Sequence, residues 1–169
     1  MIVESVAEAA KGGLDLELHV VGDGPDGDRC RTIADSKGLL GRRIFFHGRQ
    51  DEAGTARLTR AADASVLFSL FENSPCVIGE AFACGIPVLA PRIGGIPEHV
   101  NSDRGLLVAE DDQQGLVGAM GELVRRGQTW DAGAIRDYAE RVFSQQAAGE
   151  RFSRVYAKAV GFDRAAADR

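Results

Sequence analysis

Glu72 and Glu80 are separated by seven residues, among them Asn73, Ser74, Pro75, Cys76 and Val77. The first carboxylate falls just before a predicted helix and the second inside it. Ser74 is a suitable N-cap, and Pro75 suits the first helical turn. The free N–H groups of Cys76 and Val77 would then project from the helix start beside Glu72, which makes a site for an anion. Carboxylates flanking such a site accept hydrogen bonds from sugar hydroxyls, so the implied ligand is a phosphate attached to a sugar. Two glutamates at this spacing are also compatible with plain solvated charge. Their neighbours favour the functional reading: Glu72 follows the apolar run Val66-Leu67-Phe68, and Glu80 lies among Ile78, Ala81 and Phe82, where a surface residue is unexpected.

The elements that must position these residues are legible in the hydrophobic pattern. Leu16 to Val21, Arg43 to His47, Ala64 to Ser69, Pro87 to Ala90 and Gly105 to Val108 are short apolar runs bounded by Gly, Asp or Pro, as suits strands buried on both faces. Helical patterns lie between them at Gly27 to Lys37, Gly54 to Ala62, Pro75 to Cys84 and Ile96 to Asn101. This alternation predicts an α/β fold with an open parallel sheet and helices on both faces. After Asp112 the pattern is helical: Gln113 to Arg126, Asp131 to Arg141, and Gln145 to Val160 with Ser144 as its cap. A single domain over 1–161 and a charged tail, Phe162 to Arg169, complete the expected organisation.

In open α/β sheets, ligands bind at the carboxyl ends of the strands. Gly22 to Pro25, His47 to Asp51, Ser69 to Pro75 and Arg92 to Glu98 each follow a predicted strand, so four loops should share one rim. The stretch Gly22-Asp23-Gly24-Pro25-Asp26-Gly27 also satisfies the dinucleotide fingerprint G-x-G-x-x-G. That fingerprint wants an acidic residue about 20 positions on. His47-Gly48 stands there instead, and Pro25 removes an N–H from the loop. A tight turn that needs glycine and a direct ligand contact both remain open for Gly22.

Composition excludes several classes. A net charge of −5 and a pI near 5.2 argue against a nucleic-acid surface. Cys30, Cys76 and Cys84 form an odd set without metal-ligand spacing, as expected of reduced thiols, and no metal site is predicted. No apolar run approaches the roughly 20 residues that span a bilayer, and no signal-peptide pattern opens the chain. Cys76 is expected to be a packed thiol rather than a nucleophile, since no histidine lies near it in sequence.

Glu72 to Glu80, followed by Ala81-Phe82-Ala83-Cys84-Gly85-Ile86-Pro87-Val88 and then Gly94-Gly95-Ile96-Pro97-Glu98, resembles the C-terminal, donor-binding half of the retaining glycosyltransferases of the GT-B fold, group 1, family 4. Val21-Gly22-Asp23-Gly24-Pro25, Ile44 to Gly48, Gly105 to Val108 with Asp112, Arg141-Val142-Phe143-Ser144 and Tyr156 resemble further parts of that domain in the same order.

The resemblance implies a Rossmann-like fold and sugar transfer from a nucleotide-activated donor with retention at the anomeric carbon. It assigns Glu72 to hydroxyls of the donor sugar as the catalytic residue, and Glu80 to the ribose. Cys76 and Val77 would meet the diphosphate through their N–H groups, and the backbone of Asn73 and Ser74 would lie beside the sugar. Gly22 would line the donor site, with Arg49 and Gln50 near the base. Glu98 is left between a functional role and a cap. No cofactor is implied; the substrate would be a UDP- or GDP-sugar and the acceptor a glycan or lipid-linked molecule. The implied location is cytoplasmic, including a peripheral position at the inner face of the membrane.

One part of the family's pattern is absent. An Arg and a Lys that normally meet the diphosphate follow the domain's first strand, in a Gly-Arg and Lys-Gly context, and this sequence lacks them. Met1 to Lys11 resembles the helix after that strand, so the first strand, at the sheet centre, and the acceptor-binding N-terminal domain are expected to be missing. The helix Gln145 to Val160 would then keep part of its apolar face uncovered. Arg49 or Arg92 could replace the lost cations or be ordinary surface residues. A non-catalytic nucleotide-sugar-binding subunit and a GT-B-fold epimerase are the alternative functions, the latter disfavoured by scarce histidine.

Overall fold

The computed structural model describes residues 1–160. The expected domain end at Gly161 and the tail Phe162 to Arg169 lie outside the described residues. Five parallel strands alternate with helices: β1 (Leu18–Val20), β2 (Ile44–Phe46), β3 (Ser65–Val66), β4 (Val88–Pro91) and β5 (Gly105–Val108). The helices are α1 (Ile2–Lys11), α2 (Gly27–Ser36), α3 (Glu52–Ala61), α4 (Cys76–Ala83), α5 (Ile96–His99), α6 (Gln113–Arg126), α7 (Ala132–Phe143) and α8 (Gln145–Ala159). Side-chain caps start four of them. Asp51 accepts from Gly54 N–H at 2.7 Å, Asp112 from Gly115 at 2.7 Å, Asp131 from Ala134 at 2.9 Å and Ser144 from Ala147 at 3.1 Å.

The strands form two parallel sheets, β1-β2 and β3-β4-β5, rather than the single sheet that the alternation predicts. No strand pairing joins the two sheets among the described residues. β3 is also shorter than the apolar run Ala64 to Ser69 suggests. Its ladder with β4 runs through Ser65 N–H to Pro87 O at 2.9 Å and Leu67 N–H to Leu89 O at 3.0 Å. The next donor in register would be residue 91, which is a proline without an N–H. Pairing therefore stops at Leu67, and the chain leaves the sheet as the loop that carries Glu72.

Alternation along β4 sends side chains into two cores, so all four of its residues are buried. Val88 and Ala90 pack with Ile78 and Phe82 of α4, Ile96 of α5 and Ile135 of α7. Leu89 packs on the opposite face with Val3 and Val6 of α1, Ala34 of α2, and Leu116 and Met120 of α6. Gly79 brings α4 close to α7: a Cβ there would lie 3.1 Å from the ring of Phe143. By contrast, α8 buries none of its residues, and Phe152, Val155 and Tyr156 stay 63–66% exposed. No described helix is long and apolar enough to cross a membrane.

Candidate functional site

The N-terminus of α4 is built one residue later than the sequence suggests. Pro75 occupies the cap position with extended backbone, φ −70° and ψ 120°, and Ser74 stands outside the helix with no capping bond. Proline's fixed φ suits that position, and the shift leaves the Ser74 hydroxyl too far back to reach the first-turn amides. Ile78 N–H donates to Pro75 O at 3.2 Å, while the N–H groups of Cys76 and Val77 have no acceptor among the described residues. Loss of the expected Ser74 cap therefore leaves two amides available for an anion. The helix dipole adds partial positive charge there.

Glu80 is exposed, contrary to the expectation drawn from its apolar neighbours. One helical turn explains this. Ile78, Gly79, Ala81 and Phe82 face the core, while Cys76, Val77 and Glu80 share the outward face. Glu80 therefore shares the exposed side of α4 with Cys76 and Val77, the two residues whose amides are free. Glu72 is half-buried, and neither carboxylate has a hydrogen bond or ion pair among the described residues. Cys76 is exposed rather than packed, because its position at the helix start turns it away from the core.

The Glu72 loop rests on the loop after β4. Gly95 N–H donates to Asn73 O at 3.0 Å, and a Cβ on Gly94 would overlap the Glu72 carbonyl oxygen. These two glycines are what sequence reasoning missed. The sequence places Gly94-Gly95 in the loop between a strand and the helix predicted from Ile96, and the double glycine was a signal of close approach that only the fold could connect to Glu72. Glu98 is exposed and caps nothing: α5 has no side-chain cap bond.

On the other sheet, Gly22 N–H donates to Gly48 O at 2.9 Å, joining the loops after β1 and β2. Gly22 has φ +117° and Gly48 φ +63°, which accounts for glycine at both. Gln50 folds back to donate from Nε2 to His47 O at 2.8 Å, whereas Arg49 extends into solvent. Arg92 is likewise exposed, and neither arginine has an ion-pair partner among the described residues. The structure thus joins Glu72 and Asn73 to Gly94 and Gly95, and Gly22 to the Gly48 loop. No hydrogen bond links the first group to the second among the described residues. No group of three or more metal-ligating side chains gathers there either.

Residues 1–126 match the family described as "Glycosyl transferases group 1". N-acetyl-alpha-D-glucosaminyl L-malate synthase of Bacillus anthracis is 37% identical over 105 residues, 61% of this chain and 26% of that protein. D-inositol 3-phosphate glycosyltransferase of Mycobacteroides abscessus is 34% identical over 157 residues, 89% of this chain and 35% of that protein. Sucrose-phosphate synthase of Thermosynechococcus elongatus superposes with a TM-score of 0.78 at 26% identity, over 95% of this chain and 43% of that one. Anabaena HepE in complex with UDP has the same fold, with a TM-score of 0.78 at 22% identity over 92% of this chain and 44% of that one. The chain spans about a quarter to a third of these curated relatives. A parallel α/β fold, a helix start with free amides between two unpaired glutamates, and a family match over most of its length agree: the chain belongs to the group 1 glycosyl transferases.

Proposed function

We propose that this chain is the donor-binding half of a retaining glycosyltransferase that moves a hexosyl group from a nucleotide sugar to an acceptor hydroxyl. The observation that carries this reading is the segment Glu72 to Glu80, in which the two free amides that open α4 fall in sequence between two carboxylates that have no hydrogen-bond or ion-pair partner among the described residues. In this reading Cys76 and Val77 N–H groups hold the diphosphate, Glu80 accepts from the ribose, and Glu72 accepts from hydroxyls of the donor sugar. The backbone of Asn73 and Ser74 lines the sugar. Gly22 and the Arg49-Gln50 loop lie toward the base.

The chemistry follows from that placement. Negative charge grows on the diphosphate as the glycosidic bond breaks, and fixed amides already oriented toward it stabilise that charge without reorganising. Glu72 orients the sugar, and the acceptor hydroxyl attacks from the face that the nucleotide leaves, its proton passing to the departing diphosphate. Two amides alone are a modest counter-charge for a diphosphate. Full activity therefore requires further cations, and the acceptor site belongs to the part of the relatives' length that this chain does not span. The exposed apolar residues Leu70 and Phe71 beside Glu72, and Phe152, Val155 and Tyr156 on α8, supply surface for that part to cover. The setting proposed is the cytoplasm, including the inner membrane surface, with a glycan or lipid-linked acceptor.

Thermal unfolding of the purified chain with UDP, GDP, UDP-glucose, UDP-N-acetylglucosamine and GDP-mannose tests the reading. A ligand at 100 times its Kd raises stability by about 2.7 kcal/mol. Stabilisation by one nucleotide series, without sugar transfer by the chain alone, is the expected result; no stabilisation by any of the five overturns it.

A further inference from the structure

We infer that Gly94 and Gly95 are positioning residues that set the backbone of the Glu72-Asn73 loop, and with it the grip on the sugar of the donor. The inference rests on the donor reading above and assigns that reading a part that no substrate contact supplies. After Leu67 leaves the sheet, the loop has little to hold it. Among the described residues, Gly95 N–H to Asn73 O at 3.0 Å is the one backbone hydrogen bond that ties residues 68–74 to another element.

The clamp has a firm base. Ile96, the next residue, is fully buried in the same core as Ile78 and Phe82 of α4, and its N–H donates to Ile93 O at 3.1 Å. Both the clamp and the helix that ends the loop are therefore rooted in one packed core. Glycine at 95 is not there for its backbone angles, since φ −83° and ψ −1° suit any residue. It is there because a Cβ would overlap Asn73 O and stand 3.5 Å from its carbonyl carbon. Gly94 adds φ +49° to the same restriction, and its Cβ would lie 2.9 Å from the carbonyl carbon of Glu72. The atoms in the way are backbone, so an added methyl must push the loop itself.

Gly95→Ala is the direct test, with Gly118→Ala as the control because a Cβ at Gly118 meets nothing within 4 Å. The assay is calorimetric titration with the nucleotide sugar that binds wild type and with its parent nucleotide. Gly95→Ala is expected to weaken the nucleotide sugar about tenfold, as for one lost hydrogen bond near a charged group, and the parent nucleotide by less than about threefold. A general loosening would instead weaken both by the same factor. An equal loss for both, or no loss for either, overturns the inference while leaving the donor reading intact. If wild type binds no nucleotide at all, the donor reading fails first and takes this inference with it. Should Gly95→Ala not fold, hydrogen exchange in wild type decides: the Gly95 amide must exchange more slowly with the nucleotide sugar bound than with the nucleotide bound. Equal protection overturns the proposal.

Discussion

Replacing Cys76 with proline deletes one of the two free amides at the start of α4 while sparing the helix. Position 76 is the first residue of α4, where proline is well tolerated because the N–H it lacks has no helical partner. A proline at 76 also restricts residue 75 to extended backbone, and Pro75 already has φ −70° and ψ 120°. The substitution should therefore cost the free protein less than about 1 kcal/mol. Its cost to binding is larger. A hydrogen bond to a charged group contributes about 1.5–3 kcal/mol, so the diphosphate should bind roughly 10- to 150-fold more weakly. Cys76→Ser keeps the amide and changes only the thiol, and it should bind within about threefold of wild type. Titration calorimetry with UDP or GDP, with unfolding curves run in parallel, separates these outcomes. A folded Cys76→Pro chain that binds the nucleotide as tightly as wild type would refute the assignment of the α4 amides to phosphate.

Further outcomes follow from the same geometry. Glu80→Ala should weaken the parent nucleotide about tenfold, whereas Glu72→Gln should spare the nucleotide and weaken only the nucleotide sugar; titration of both variants with both ligands checks the division. Because neither carboxylate has a partner among the described residues, both variants should unfold within about 0.5 kcal/mol of wild type. Phe82→Ala empties a fully buried position beside Tyr138 and Phe143, and should cost about 3–5 kcal/mol by denaturant unfolding. Burial holds the imidazole of His99 below its ordinary range, against an opposing pull from Glu98. The neutral form is thus favoured on folding, so this contribution is complete above the ordinary pKa of about 6.5 and is lost as pH falls from there toward the folded value. His99→Gln should lack this dependence, so the difference in unfolding free energy between wild type and variant should shift against wild type as pH falls below about 6.5.

Much of the fold was legible because its signals are local. The five apolar runs and the helical periods of α2, α3, α6 and α7 depend on neighbours within a turn or two, and Asp112 and Ser144 serve as helix caps because the capping bond spans three residues. Ser74 misled for a related reason: its chemistry suits a cap, but Pro75 already holds the extended conformation that a cap requires. Glu80 misled because a run of apolar residues on a short helix says little about which face one member takes, and the 3.6-residue turn put it outward beside Cys76 and Val77. The length of β3 was hidden because it depends on a partner in another part of the chain, namely the missing N–H of Pro91. The Gly95-Asn73 bond was hidden in the same way, since 22 positions separate its ends. Local chemistry thus reached the residues of the candidate site but not the contacts that hold them in place.

The most direct test of the donor site is to follow backbone amide resonances of the folded chain during titration with the nucleotide that stabilises it. The account predicts that the amides of Cys76 and Val77 shift most, with smaller changes at Gly22 and in the Gly48-Gln50 loop. Saturable binding that leaves the Cys76 and Val77 amides unmoved would contradict it.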